Sequence, residues 1–282
     1  MKKVYIRKMK LTKIILTVIM GFLSVFMLMP LFWMISASFK VEADVFTYPI
    51  QWIPKTWNAV NNYSIVFLKN KFFLNYINSF IYSGGTVLLS FMVCSMSAYG
   101  FSKIKFKGRD VIFLFFLSLM MVPTQLTLIP RFMIIKGLNL YDSLLGLILM
   151  ESMSIYGVFL LRQFMLSIPD AICESAKIDG ANHIHIFFLI VVPLLKPAFA
   201  TLGILKAVWS WNDYQGPLVF LNSANKFTVQ LAVQQFAQSD GLSPVYSLIM
   251  AGAVISTIPL IVIFMMFQTQ VIDGIAVGAV KG

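Results

Sequence analysis

Glu151 and Lys206 lie inside long apolar stretches of this 282-residue chain, where charged side chains are rare. A charge in hydrocarbon costs at least about 2.5–3.5 kcal/mol, so such groups usually face a polar cavity or each other. Both lie about eight residues, or about 12 Å along a helix, from the same predicted face of a membrane. We expect them to line or border a solute pathway, singly or as a pair; an ion pair that only holds two helices together is the alternative.

A second group of polar side chains lies in the stretch WSWNDYQGPLVF. This stretch places hydrogen-bonding side chains next to aromatic rings, a combination that suits recognition of a polar solute. Asn212 and Asp213 are therefore further candidates for the pathway. Trp209, Trp211 and Tyr214 are better explained as anchors at the membrane boundary, where Trp and Tyr are enriched.

The third feature is a charged segment, ESAKIDGANHIHIFFLIVVP, between two apolar stretches. Upstream of it, Ser167 can cap a helix that has Pro169 and Asp170 in its first turn, since Asp favours the positive end of the helix dipole. Gly180 is a natural left-handed stop. The spacing predicts a helix of about eleven residues, about 16 Å long.

This short helix is predicted to be amphipathic. The apolar side chains available for burial are Ala171, Ile172, Ala176 and Ile178. The polar side chains that would face water or a partner are Asp170, Glu174 and Lys177. An ordinary surface helix would show the same periodicity, so periodicity alone leaves both interpretations open.

The sequence contains no recognisable catalytic or nucleotide-binding motif. It has no G-x-x-x-x-G-K-[ST] phosphate-binding loop, no H-E-x-x-H and no G-x-S-x-G. The only histidines, His183 and His185, would point about 200 degrees apart on a helix and make a poor metal pair. Cys94 lies in an apolar stretch and Cys173 in a predicted cytoplasmic loop, so no disulfide is expected.

The elements that position these residues are predicted to be membrane spans. The chain is 59% hydrophobic and 12% charged, with a mean hydropathy of +0.84, whereas soluble domains contain about 25% charged residues. Since about 20 apolar residues cross a bilayer, we predict six spans. They are roughly Ile14–Ser38, Phe73–Gly100, Val111–Pro130, Ser143–Leu161, Ala198–Gly216 and Ser247–Thr269. The first is too long for the apolar core of a signal peptide and is expected to stay uncleaved.

The distribution of basic residues predicts the orientation. With the N-terminus in the cytoplasm, 14 Lys and Arg lie on the inner side and seven on the outer side, as the positive-inside rule favours. Both termini and the charged segment would then be cytoplasmic. The same rule and anionic lipid headgroups account for most of the net charge of +11, so no nucleic acid partner is expected. The predicted fold is all-α, a polytopic membrane protein with six transmembrane helices.

The charged segment resembles a known motif. Its defining residues are Glu174, Ser175, Ala176, Gly180, Ile190 and Pro193. Their spacing resembles the EAA motif (EAA-x3-G-x9-I-x-L-P) of permease subunits in ATP-binding-cassette (ABC) importers. Ser175 stands for the first Ala of that motif, and Val192 stands for its Leu.

Four stretches, in order along nearly the whole chain, are similar to the carbohydrate branch of this family. They are ISASFK, FLLRQFMLSIPDAICESAKIDGA, WSWNDYQGPLVF and VIDGIAVGAVKG. Within that branch they resemble the maltose permease subunit that has the short C-terminal tail. The resemblance implies the transmembrane domain of a type I, binding-protein-dependent importer.

The resemblance also implies partners and coupling residues. The partners would be a second, non-identical permease subunit, an ABC ATPase dimer on the EAA loop, an extracytoplasmic solute-binding protein and the lipid bilayer of a bacterial inner membrane. ATP and Mg would be bound by the ATPase, so no cofactor or metal is expected on this chain. The implied coupling positions are Glu174, Ser175, Ala176, Asp179, Gly180 and Pro193. Glu174 would offer a charge to the ATPase, Ala176 would permit close approach, and Gly180 would permit the turn away from it.

The predicted organisation has three parts. Residues 1–72 hold the N-terminus, the first span and the first outer loop; residues 73–269 hold the transmembrane core, with the coupling loop at about 167–193; residues 270–282 form a tail. The resemblance implies that the tail reaches the ATPase pair, and a frayed terminus is the alternative.

Three classes of function follow. The first is the permease subunit of an ATP-driven sugar or oligosaccharide importer. The second is the same subunit of an importer for a non-sugar solute, because the EAA motif marks the mechanism and not the cargo. A membrane-embedded enzyme is the third class, and the sequence lacks a recognisable nucleophile, base or metal set for it.

Overall fold

A computed structural model describes residues 2–69, 72–236 and 244–279 of the chain, with the backbone alone for residues 2–12, 69 and 269–279. Within these ranges the chain is all-α, as predicted, apart from one isolated β-bridge between Lys40 and Trp57. The predicted tail, residues 270–282, therefore has no described side chains, and its last three residues lie outside the described ranges. The three-part division predicted from the sequence stays a prediction.

The helices are numbered in chain order. They are α1 (Lys2–Ser38), α2 (Ala59–Ser64), α3 (Phe72–Lys103), α4 (Arg109–Ser118), α5 (Thr124–Gly137), α6 (Leu144–Ser152), α7 (Ile155–Leu166), α8 (Asp170–Ile178), α9 (His183–His185), α10 (Val192–Leu194), α11 (Lys196–Asn212), α12 (Gln215–Phe220), α13 (Val229–Gln235) and α14 (Tyr246–Ala279). Short 3-10 or π-helical segments occur at Glu42–Asp44, Ile65–Lys69, Leu119–Met121, Ile186–Val191 and Ala224–Lys226.

The chain forms two compact units. The first comprises Met1–Asn70 and Val233–Thr257, and the second comprises Lys71–Ala232 and Ile258–Gly282. The residues predicted to line a pathway and those predicted to couple to an ATPase all belong to the second unit.

In the first unit, buried polar contacts fix the loop after α1 and the start of α14. Lys40 is 1% exposed, and its Nζ donates to the carbonyl oxygen of Gln51. The Glu42 carboxylate accepts the backbone N–H groups of Tyr246 and Ser247 at 2.9 and 2.8 Å. Glu42 therefore satisfies two N–H groups in the first turn of α14 and places a negative charge at the positive end of its dipole.

Six membrane spans, as predicted, result when three bent helix pairs each count as one span. The helices long and apolar enough to cross alone are Lys13–Ser38, Phe72–Lys103 and Tyr246–Gln268. The bent pairs are Arg109–Met121 with Thr124–Gly137 (104°), Leu144–Ser152 with Ile155–Leu166 (48°), and His183–Leu194 with Lys196–Asn212 (76°). The predicted third and fourth spans each contain a break, whereas the break of the third pair, at Leu195, lies just before the predicted fifth span.

Proline accounts for two of the breaks. Val122 takes extended backbone angles (φ −77°, ψ 118°) because Pro123 disfavours the helical conformation of the residue before it. Pro197 lies in the first turn of α11, where its missing N–H is tolerated. Leu195, at the cap position before that turn, leaves the helical region (φ −86°, ψ 3°). The chain therefore changes direction at both prolines.

α3 is the central helix of the second unit and packs against α6, α7 and α11. Small polar side chains line its buried face: Asn75, Asn78, Ser79, Ser83, Thr86, Ser90 and Ser95. Small residues allow membrane helices to approach closely, and hydroxyls can bond across the interface. The Ser83 hydroxyl lies 2.7 Å from that of Ser210 on α11, and the Ser90 hydroxyl donates to the Ser152 carbonyl oxygen at the end of α6 at 2.5 Å.

Candidate functional site

The four residues predicted to line a solute pathway meet at one cavity of about 370 Å³ in the second unit. They are Glu151, Lys206, Asn212 and Asp213. Further lining residues, none of which was predicted to lie in the pathway, include Tyr82, Thr86, Arg131 and Trp209. Side chains from α3, α5, α6 and α11 therefore converge on one polar space.

The break between α6 and α7 explains the positions of two basic side chains. The last carbonyl groups of a helix have no partner within it, and in hydrocarbon they must find one elsewhere. Arg131 Nη2 donates to the Met150 carbonyl oxygen at 3.2 Å. Lys206 Nζ donates to the Glu151 carbonyl oxygen at 2.5 Å. Both cations thus lie at the negative end of the α6 dipole, where positive charge is stabilising.

The Glu151 carboxylate pairs with Arg131 and not with Lys206. Arg131 Nη1 lies 2.8 Å from Glu151 Oε1, and both side chains are about 30% exposed. The ion pair between Glu151 and Lys206, which the sequence left open as an alternative, is not formed, although the two residues are in contact through the Glu151 backbone. Arg131 lies one residue beyond the predicted end of the third span at Pro130, whereas α5 continues to Gly137.

Asp213 is fixed at the start of α12. Tyr82 Oη donates to Asp213 Oδ2 at 2.7 Å, and the Gly216 N–H donates to Asp213 Oδ1 at 3.0 Å. A Cβ on Gly216 would lie 2.5 Å from Asp213 Oδ2, so a larger residue at this position would displace the carboxylate from its hydrogen bonds. Asn212 is exposed, and its Nδ2 donates to the Val208 carbonyl oxygen of its own helix at 2.9 Å.

The two tryptophans of α11 have different environments. Trp209 lies at the cavity wall and is 51% exposed, with its ring 6.2 Å from that of Tyr156. Trp211 is 2% exposed, and its ring packs edge-on against Tyr76 at 5.6 Å and Phe80 at 5.0 Å. The prediction that Trp211 anchors the chain at the membrane boundary is therefore wrong, because its ring is buried in the protein.

The predicted coupling loop contains α8 and the turn that follows it. Gly180 has a φ of +86°, the left-handed conformation predicted for it. The Ala181 N–H donates to the Ala176 carbonyl oxygen at 2.9 Å, which satisfies an otherwise free carbonyl group at the end of α8. Pro193 lies in α10, just before the chain bends into α11.

Lys103 ties the start of α8 to the end of α3. Its Nζ lies 2.6 Å from Asp170 Oδ1 and donates to the Ile168 carbonyl oxygen at 2.6 Å. The hydrogen bond and the positive charge of Lys103 hold the pKa of Asp170 below its usual value. Ser167, the predicted cap, instead donates its hydroxyl to α7, and Pro169 takes the cap position.

α8 has one face against the core of the second unit and one face exposed. Cys173 is 6% exposed, and Ala176 packs against the same buried cluster. The exposed members of the predicted coupling set are Glu174, Ser175, Asp179 and Gly180. Ile172 and Ile178, which were predicted to be available for burial, are 42% and 87% exposed within this single chain.

A second ion pair, between Arg162 and Asp110, joins neighbouring helices of the second unit. Arg162 Nη2 lies 3.1 Å from Asp110 Oδ1, and Arg162 Nε donates to the Phe101 carbonyl oxygen at 3.0 Å. The guanidinium carbon of Arg162 is 4.1 Å from the centre of the Phe113 ring. These contacts join α7, α3 and α4.

α3 connects the cavity with α8. Tyr82 at the cavity and Lys103 at α8 lie on this one continuous helix. About 20 residues separate them, which corresponds to about 30 Å along the helix axis. The two groups of predicted functional residues therefore lie near opposite parts of the same structural element.

Residues 90–276 match the family of binding-protein-dependent transport system inner membrane components. The match covers more than half of the chain, so the chain belongs to this family. Its all-α architecture is that of the transmembrane subunit of a type I ABC importer. The chain is a multi-pass membrane protein of the transport class, as the sequence motifs indicated.

Named relatives and a solved structure agree with this placement. The chain is 34% identical over 272 residues to the arabinooligosaccharides transport system permease protein AraQ of Bacillus subtilis (strain 168), with 96% of each chain covered. It is 28% identical over 253 residues to the sn-glycerol-3-phosphate transport system permease protein UgpE of Yersinia pestis bv. Antiqua (strain Antiqua), covering 88% of this chain and 90% of that protein. Its fold is similar to a chain in the crystal structure of a bacterial ABC transporter involved in the import of the acidic polysaccharide alginate, with a TM-score of 0.79, 25% identity and coverage of 92% and 96%.

Proposed function

We propose that this chain is the permease subunit of an ATP-driven importer for a sugar or oligosaccharide and forms half of the translocation pathway. One observation carries the proposal: α3 joins a polar cavity, where the four predicted pathway residues meet, to the short exposed helix α8. The name of AraQ supports a sugar as the cargo. The chain would act in a bacterial inner membrane, with both termini and α8 in the cytoplasm.

The proposed partners supply what this chain does not carry. An ABC ATPase dimer, with its ATP and Mg, would dock on α8 and on the turn after it. A second, non-identical permease subunit would form the other half of the pathway, and an extracytoplasmic solute-binding protein would deliver the cargo. Closure of the ATPase pair would then move the spans between inward-facing and outward-facing states.

The exposed face of α8 supports the proposed docking. Glu174 presents a charge to the ATPase surface, and the exposed Ile178 offers apolar area that this chain leaves uncovered. Ala176 packs against the core of this chain, so we propose that it allows α8 to lie close to that core rather than contacting the ATPase directly. Gly180 permits the left-handed turn that leads the chain away from the docking face.

Reconstitution of the complete complex in proteoliposomes tests this function. ATP-dependent uptake of a sugar is expected only when the ATPase and the solute-binding protein are present. Glu174→Gln and Gly180→Ala are expected to leave membrane insertion intact and to lower the sugar transported per ATP hydrolysed, the second because φ near +86° is strained for a residue with a side chain. Unchanged transport per ATP in both variants would contradict the coupling role. Recovery of this chain without an ATPase, together with catalytic activity on a sugar or lipid, would overturn the importer function itself.

A non-sugar solute is the second candidate cargo. The specific observation in its favour is the similarity to UgpE, which is named for transport of sn-glycerol-3-phosphate. The reconstituted complex separates the two, because uptake of sn-glycerol-3-phosphate without uptake of any sugar would establish the alternative.

A further inference from the structure

We propose that the cavity of the second unit is a binding subsite for a neutral saccharide, carried by this subunit itself. Thr86, Lys206 and Asp213 would hold the ligand's hydroxyl groups, and Trp209 would offer its ring face. The cavity volume of about 370 Å³ lies near the lower end of the range for ligand pockets, about 300–1,000 Å³, which suits about one or two sugar rings. The inference rests on the proposed import function and assigns the class of cargo to a site.

Thr86 is the observation that points to a ligand. Its side chain is fully buried at the cavity wall, and its Oγ1 has no hydrogen-bond partner among the described residues. Its neighbours on the same face of α3 are paired, Ser83 with α11 and Ser90 with the end of α6. A buried hydroxyl without a partner is unfavourable, and Thr86 is the one such threonine among the described residues that lies at the cavity wall, so we assign its hydroxyl to the ligand.

Lys206 and Asp213 are held in place with hydrogen-bonding capacity left over. An ammonium group has three donors, and Lys206 Nζ donates one to the Glu151 carbonyl oxygen. A carboxylate has about four acceptor positions, and Asp213 accepts from the Tyr82 hydroxyl and from the backbone N–H groups of Gln215 and Gly216, which leaves about one. A sugar hydroxyl both donates and accepts, so it can bond a donor such as Lys206 and an acceptor such as Asp213.

The balance of charge at the cavity wall favours a neutral ligand. Two cations, Arg131 and Lys206, lie with two carboxylates, Glu151 and Asp213. The Arg131 guanidinium is already committed to the Glu151 carboxylate and to a backbone carbonyl of α6. No excess of positive charge remains for a phosphate or a polyanion, whereas a polyol needs only paired donors and acceptors.

Aromatic area completes the subsite. The Trp209 ring is about half exposed and lies at the cavity wall, whereas the neighbouring Trp211 ring is buried against Tyr76 and Phe80. Aromatic faces bury large apolar areas with little conformational freedom to lose. The apolar face of a sugar ring can therefore pack on Trp209 while its hydroxyl groups meet the polar wall.

The decisive variant is Thr86→Val, with Thr228→Val as its matched control. Thr228 is also buried, and its hydroxyl likewise has no partner among the described residues, but it lies outside the cavity. Both substitutions remove an unpaired hydroxyl and keep the shape of the side chain. Neither is therefore expected to lower the thermal stability of the complex, which can be checked from its Tm in detergent.

Uptake is measured in proteoliposomes that contain the full complex and its solute-binding protein, with arabinotriose, trimannuronate or sn-glycerol-3-phosphate as probes at concentrations below saturation. We expect arabinotriose uptake to fall about five- to thirtyfold in Thr86→Val, the loss of one hydrogen bond, and to stay at the wild-type rate in Thr228→Val. Trp209→Ala should slow uptake, and Trp209→Phe should restore most of it.

The possible results show which proposal fails, the subsite or the import function. Arabinotriose uptake that is equal in the two threonine variants would overturn the subsite and leave the import function standing. Preferred uptake of trimannuronate or sn-glycerol-3-phosphate would overturn the assignment to a neutral ligand. A wild-type complex that takes up none of the three probes would count against the proposed sugar import itself.

Discussion

Replacing Asp170 with Asn is expected to weaken the transmission of movement between α8 and α3. In the structure, Asp170 is the only acidic side chain that forms an ion pair with Lys103 among the described residues, and the contact is 2.6 Å long. The asparagine keeps the size of the side chain and its place in the first turn of α8. The variant therefore removes the charge and leaves the helix in place.

The magnitude follows from the unequal burial of the two partners. The Lys103 side chain is 3% exposed and the Asp170 side chain 66% exposed. Breaking a fully buried pair costs about 3–5 kcal/mol, and an exposed pair contributes about 0–1 kcal/mol. Lys103 also keeps its bond to the Ile168 carbonyl oxygen. We therefore expect a loss of about 1–2 kcal/mol, which corresponds to about five- to thirtyfold in an equilibrium constant.

The assay is the ratio of sugar taken up to ATP hydrolysed by the reconstituted complex. Asp170→Asn and Lys103→Met should each lower this ratio at least about fivefold, and the double variant should lower it no further, because the two side chains form one interaction. Lys107→Met is the matched control, since Lys107 is exposed and makes no ion pair with any described residue. A wild-type ratio in Asp170→Asn, or losses that add in the double variant, would refute the reasoning.

Two further predictions concern stability. Gly216→Ala should lower the Tm of the purified complex and its sugar uptake, because a Cβ there would lie 2.5 Å from Asp213 Oδ2. Gly137→Ala is the control and should match the wild type, because a Cβ there would have no atom within 4 Å. Equal Tm values for the two variants would contradict the close contact. Burial alone would raise the pKa of Asp142. The hydrogen bonds from residues 222–226 together lower it by more than burial raises it, so the pKa lies well below the usual value of about 3.9. The ionised carboxylate therefore stabilises the folded state above about pH 4, and this stabilisation is lost as the pH falls. Asp142→Asn should lower the Tm at pH 7, and the difference from the wild type should shrink below about pH 4; a difference that is constant with pH would show that the carboxylate charge does not matter.

The existence of the membrane spans could be predicted from the sequence, but the breaks within them could not all be predicted. Apolar stretches of sufficient length define spans because the bilayer allows few alternatives. Pro123 and Pro197 were visible signals for two of the breaks. The break at Ser152 has no glycine or proline beside it and depends on side chains from α3, α5 and α11 that bond the carbonyl groups at the end of α6. Such partners become visible only once the helices are assembled.

The candidate site shows the same limit. Glu151 and Lys206 could be found in the sequence because an intramembrane charge is costly and needs an explanation. The true partner of Glu151 could not, since Arg131 reaches it only because the third span bends by 104° and α5 runs on past Pro130. Thr86 was missed as well, although small polar residues at helical spacing along α3 were a signal of a buried polar face.

The sequence left two explanations for Lys206, a structural contact or a pathway residue, and the broken end of α6 makes them compatible. A helix that ends inside a membrane must have its last carbonyl groups satisfied by donors or must face a polar cavity. Lys206 donates one of its three N–H groups to the Glu151 carbonyl oxygen at the end of α6. Because it also lies at the cavity wall, its other N–H groups can bond a group in the cavity. A substitution that removed the charge of Lys206 would therefore affect both its hydrogen bond to the Glu151 carbonyl oxygen and its binding of the ligand. Thr86 is the sharper probe of the pathway, because its hydroxyl bonds no described residue and its loss changes the cavity alone.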